Sequence, residues 1–357
     1  MSKRRRTAPA PTPEPATAGP GTVRQRVIAL IAIAVVLVGG TTAYLVLSRA
    51  KQQEAVRTAS PQDTVSVAKI AGAPRIVFRN TAIGPDYGRV AMVSLADPSG
   101  PRALTPTSCD RVFVARTRTL CVASDPGVVT TYTATTFVDA DGPTEDLPLT
   151  GVPSRARLSD DAKLAATTSF VSGDSYAAAN FSTRTVVSEI GTDRSFDLET
   201  FRLVHQGKAI KPADRNYWGV TFASDDDAFY VTVKFDSKTW LASGRLSTRT
   251  VQTIRSDAEC PSLSPDGTKV AYKKLGTRGP GDWRLAVLDL ATGKEVSLTE
   301  EHSVDDQVEW LDKDQILYGL PGVGSHAAET NVWVVPADGT GAPRMLIAKA
   351  WSPAVVR

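Results

Sequence analysis

Three histidines, three cysteines and several paired aspartates are the residues with which this sequence could do chemistry. A Ser-His-Asp triad would have to draw on His205, His302 or His326, and a nucleophile elbow would show the order G-x-S-x-G. The nearest string, Gly322-Val-Gly-Ser-His326, has the wrong order. All three histidines are therefore expected in loops, and no catalytic residue is assigned. The acidic groups are Asp139 with Asp141, Asp160 with Asp161, and Asp225 with Asp226 and Asp227. None has the spaced oxygen donors and distal bidentate glutamate of a calcium loop. Aspartate is also the residue that caps turns by bonding nearby amides. No metal and no cofactor is expected.

The cysteines, Cys109, Cys121 and Cys260, allow one disulfide with one thiol left over. Cys109 and Cys121 flank a hairpin whose turn falls near residues 116–118, so they can approach each other. The alternative is three reduced, packed thiols. Six tryptophans, Trp218, Trp240, Trp283, Trp310, Trp333 and Trp351, recur near strand positions. They are expected to fill the wedges between packed sheets. A sugar-binding aromatic platform would require several of them exposed on one face.

The elements that position these residues repeat along the chain. The clearest unit begins at Cys260 with CPSLSPDGTKVAYKK and resumes at Trp283 with WRLAVLDLATGKEVSLT. In its turn, Ser264, Pro265, Asp266 and Gly267, proline presets φ, aspartate bonds backbone amides and glycine accepts positive φ. Apolar alternation on both sides makes the turn a hairpin, and a second turn at residues 291–294 leads into a fourth strand. Four short antiparallel strands in about 40 residues are one propeller blade.

Degenerate copies place blade starts near residues 110, 155, 218, 260, 307 and 351, with one longer blade after 155. The segment from Arg75 lacks a first strand, while AWSPAVVR at the C-terminus supplies one with no blade after it. Joining the two would close a ring of six and remove its open edges. The expected fold is thus all-β: a six-bladed propeller of four-stranded antiparallel blades, with N- and C-terminal strands sharing one blade.

The stretch from Leu263 to Tyr272, LSPDGTKVAY, and its continuation LDLATG resemble the TolB-like, WD40-like (PD40) repeat of periplasmic TolB-type propellers and of prolyl oligopeptidase relatives. That resemblance implies a propeller with protein partners in envelope maintenance or transport. TolB-like proteins are normally released, whereas this chain carries an anchor. No α/β-hydrolase domain is expected, because the repeats run to the C-terminus.

Residues 27–47 form a 21-residue run without a charge, long enough as a helix to cross roughly 30 Å of hydrocarbon. Six Lys/Arg precede it and Arg49, Lys51 and Arg57 follow. The positive-inside rule then puts the N-terminus in the cytoplasm and the rest outside. A cleavable signal peptide is the alternative, and it exports the same part of the chain. Residues 1–26 read as a basic, Pro/Ala-rich cytoplasmic tail, 48–66 as a polar stalk, and 67–357 as the extracytoplasmic propeller. With 41 basic against 38 acidic side chains, bulk charge gives no reason to expect nucleic-acid binding.

Together these features point to a non-enzymatic binding or scaffolding propeller at the outer face of the cytoplasmic membrane, recognising a protein or a cell-envelope component. The alternative is a hydrolase or lyase with active-site residues lining the channel.

Overall fold

Hairpin chemistry sets the architecture. In the clearest repeat, Ser264 Oγ donates to Asp266 Oδ1 at 2.6 Å, and the same oxygen accepts from Thr268 N at 3.1 Å and Thr268 Oγ1 at 2.8 Å. Gly267 takes a φ of +71°, which glycine adopts without steric cost. Asp161 accepts from Ser159 Oγ and Lys163 N, and Asp225 from the amides of Asp227 and Ala228. The aspartates at these turns thus bond the backbone and hydroxyls of their own hairpins; Asp139 and Asp141 lie outside the described residues.

The computed structural model describes residues 20–58, 62–138, 142–171 and 182–357. It divides the chain into two compact units, residues 1–58 and 59–357. The first holds one helix, Pro20–Thr58. Within it Arg24–Ala50 has a mean hydropathy of 2.4 and is long and apolar enough to cross a membrane, a property shared with signal sequences. Thr41 and Thr42 donate their hydroxyls to the carbonyls of Leu37 and Val38, so these polar groups find partners inside the helix. The helix runs on into the segment expected as a stalk, residues 48–66. Lys, Gln, Glu and Ala, all good helix formers, carry the helix on to Thr58.

The second unit is a six-bladed β-propeller. Its innermost strands are Arg111–Ala115, Val152–Leu158, Asn216–Phe222, Glu259–Leu263, Glu309–Trp310 and Ala350–Val356. Each begins within three residues of its expected start. The last belongs to the first blade, where it pairs antiparallel with Arg75–Asn80, Arg75 opposite Val356. Ala354, Val355 and Val356 are buried there. Arg102 braces the join: it donates to Asn80 Oδ1 at 2.8 Å and to the carbonyls of Ala348 and Lys349.

Two blades exceed four strands. The length after residue 155 does not enlarge the third blade, which has four strands. It forms a hairpin, Arg202–His205 and Lys208–Ile210, that adds to the outer strand of the fourth blade in parallel with Thr250–Ser256. Thr64–Val65, expected in the stalk, pairs in parallel with Arg102 and Ala103 and covers the outer edge of the first blade.

Between blades the core is aliphatic and aromatic, with Tyr217, Phe229 and Phe201 in one cluster and Trp310, Ile316 and Tyr318 in another. The expectation that the tryptophans fill wedges holds in full for Trp310, while Trp240 and Trp333 pack against core clusters and Trp351 packs against Gly319 of the neighbouring blade. Trp310 is 1% exposed, while the other five are half-buried.

Candidate binding site at the channel mouth

The inner strands all start at one end of the channel, so their first residues surround one mouth and the tight hairpin turns surround the other. Side chains two apart share a strand face, which puts Arg155 and Arg157, and likewise Arg111 and Phe113, at successive depths. Arg111 Nη1 lies 2.9 Å from Asp306 Oδ1, and Arg155 Nη1 lies 4.0 Å from the same oxygen. Arg155 Nη2 is also 3.7 Å from Cys260 Sγ. Deeper down, Arg157 pairs with Glu309 and sits 4.5 Å over the Phe113 ring. Gln307 donates to the carbonyls of Val220 and Pro261, tying two blades together. At this waist the free space narrows to about 20 Å³, room for about one water molecule.

Above the waist the channel opens into a cavity of about 910 Å³. Trp218, Trp240, Trp283 and Phe170 line it, with Leu275 the aliphatic member. Strand irregularities at Trp218–Thr221 and Glu259–Ser262 shift the register where two inner strands reach the cavity. Gly219 permits this: at φ +69°, a Cβ there would stand 2.9 Å from the Cα of Cys260. Lys273 rises into the cavity wall from the second strand of the fifth blade. It is 4% exposed, 3.5 Å from Glu259 Oε2, paired with Asp305, and 4.1 Å from the centroid of Trp283.

Burial and pairing oppose each other at these groups. Burial opposes the Lys273 ammonium, but the Cys260 sulfur, Glu259 and Asp305 outweigh it and hold the group above the usual lysine range. For Asp305 burial is likewise overcome, by Lys273, which keeps its carboxyl below the usual range. Burial dominates at Glu259 and pushes it up. Arg155 is held above its ordinary value because Cys260 and Asp306 outweigh the cost of burial.

The groups weighed first in the sequence stand elsewhere. His302 bonds Glu300 at 2.7 Å, His326 bonds Glu329 at 3.1 Å, and His205 bonds Thr253 at 3.0 Å; none lines the mouth. Among the described residues no three His, Cys, Asp or Glu side chains gather as a metal site. The sulfurs of Cys109 and Cys121 are within bonding distance, 5.4 Å apart at Cα, and join the linker after the first blade to the second strand of the next. Cys260 is free and buried. Ser264, Pro265, Asp266 and Gly267 line the opposite mouth, a cavity of about 560 Å³.

Sequence reasoning missed the cluster of Arg111, Arg155, Glu259, Lys273, Asp305 and Asp306. Its trace was legible, since charged residues open three of the inner strands, at Arg111, Glu259 and Glu309, where apolar ones would suit a core. What was not legible was which of them meet, because the partners come from blades far apart in sequence.

No family model matches the chain, and no curated protein sequence matches it. Solved structures do. TolB from Acinetobacter baumannii superposes with a TM-score of 0.58 at 16% identity, covering 80% of this chain and 67% of that one. A chain of the nidogen/laminin complex gives 0.54 at 9% identity, covering 79% and 98%. A puromycin-hydrolyzing peptidase from Mycobacterium tuberculosis gives 0.47 at 16% identity, and this chain spans 43% of its length. At these identities the likeness is one of fold.

Proposed function

We propose that the chain is a non-enzymatic binding propeller, held at the outer face of the cytoplasmic membrane by residues 27–47. Its ligand is a protein or a component of the cell envelope. The observation that carries this reading is the mouth itself, a 910 Å³ concavity with aromatic walls over a channel that narrows at its waist. Such a concavity can receive a ligand at its open side, and its central charges are engaged in ion pairs with one another. TolB, whose fold this chain shares, lends support as a relative in shape.

Photo-crosslinking residues placed singly in intact cells test it. Adducts are expected from Lys238 and Leu275 at the mouth and not from Thr268 at the opposite end. Equal labelling from both ends, or none from the mouth, would refute the assignment. The topology has its own check: a reporter fused after Arg357 is expected to be active outside the cytoplasm, and activity only inside would overturn the orientation.

A further inference from the structure

The walls and the charge of the mouth together narrow the ligand. Four aromatic side chains line it against one aliphatic, Leu275. Trp240 stacks on Phe235 with centroids 5.8 Å apart and planes 11° from parallel, and His205 meets it at 4.6 Å with planes 67° apart, so the protein fixes the orientation of the indole. The hydroxyls of Ser237, Thr239 and Ser256 are interleaved with the rings. Flat apolar faces alternating with hydrogen-bonding groups suit a pyranose, whose C–H face packs on an indole while its hydroxyls need donors and acceptors at the ring edge. An apolar peptide side chain is better met by a socket of aliphatic groups.

Charge adds a sign. Arg111, Arg155, Lys234, Lys238 and Lys273 line the cavity, against Asp257, Glu259 and Asp305. Even with Asp306 beneath the floor counted among the acids, the cations are in excess. The deeper ones are engaged: Arg111 by Asp306, and Lys273 by Asp305 and Glu259. Lys234 and Lys238 have no ion-pair partner among the described residues, and both stand on the hairpin that carries Trp240. An anion at the mouth would meet these two first.

We infer that the mouth binds an acidic saccharide, with a sugar ring stacked on Trp240 and a uronate carboxylate held by Lys234 and Lys238. This rests on the binding reading above and names its ligand class. An acidic peptide would meet the same lysines without needing the indole face, which makes it the competing outcome.

The test uses the full chain in detergent micelles and follows tryptophan fluorescence and calorimetric heat. The probes are hexasaccharides of glucuronate, mannuronate and galacturonate, their carboxyl-reduced neutral forms, and a hexaglutamate peptide. At least one uronate is expected to bind, with affinity falling tenfold or more on carboxyl reduction. Trp240→Ala should cost a similar factor. The Lys234→Gln/Lys238→Gln pair, at a half-buried and an exposed position of the hairpin, should weaken binding and flatten its dependence on salt while leaving the unfolding midpoint of the chain unchanged. Binding of none of the three uronates would overturn the inference. So would hexaglutamate binding as tightly as the best uronate, or an unchanged affinity in the lysine variant. Crosslinks from the mouth in cells can persist through any of these failures, so the broader binding reading stands or falls separately.

Discussion

The indole of Trp351, on the closing strand, fills the space that a side chain at Gly319 would need. A Cβ built at Gly319 would stand 2.2 Å from the ring. The two residues belong to neighbouring inner and second strands of the first and sixth blades, so glycine at 319 is a condition of closing the ring. Gly319→Ala is expected to destabilise the propeller by about 1–3 kcal/mol through overpacking. In a Trp351→Ala background the same change should cost far less, giving a coupling of at least about 1 kcal/mol in a double-mutant cycle by chemical denaturation. Additive effects would show that the contact is dispensable.

Removing residues 351–357 should harm the whole propeller rather than one end of it. Val355 and Val356 are buried, and the strand supplies the pairing partners of Arg75, Ile76 and Val77. Two buried valines alone are worth about 1.5–3 kcal/mol each. A fall of about 10 °C or more in the unfolding midpoint is expected. An unchanged midpoint would mean that the ring does not depend on this strand.

Asp266 supplies a pH dependence whose sign is fixed. Ser264 and Thr268 hold its carboxyl down to about 2, from an ordinary value near 3.8. A carboxyl depressed in the folded state contributes stability above its unfolded value, and that contribution is lost as pH falls from about 4 through about 2. Asp266→Asn should be less stable at neutral pH and lose less on acidification across that window. Parallel melting curves for parent and variant from pH 5 to 2 would contradict the turn's role.

The pairing of Cys109 with Cys121 predicts a thiol count. Denatured without reductant, the chain should show one reactive thiol, that of Cys260, and three after reduction. Cys109→Ser/Cys121→Ser should lower stability by about 2–4 kcal/mol, in line with closing a short loop. Three thiols before reduction would restore the alternative of packed, reduced cysteines.

Local chemistry made the fold readable. Ser264-Pro265-Asp266-Gly267 is a turn wherever it occurs, because proline, aspartate and glycine act on their own backbone, and strand alternation on either side needs no distant partner. One full unit with its degenerate copies, and a first strand missing at one end but present at the other, determined the blade count and the closing strand from the sequence alone. The hairpin Arg202–His205 and Lys208–Ile210 escaped because a short strand reveals nothing of the edge it joins. The mouth escaped for the same reason at larger scale. Arg155, Lys273 and Asp305 come from three different blades, and only the closing of the ring brings their charges within reach of one another and turns Trp218, Trp240 and Trp283 toward a common cavity.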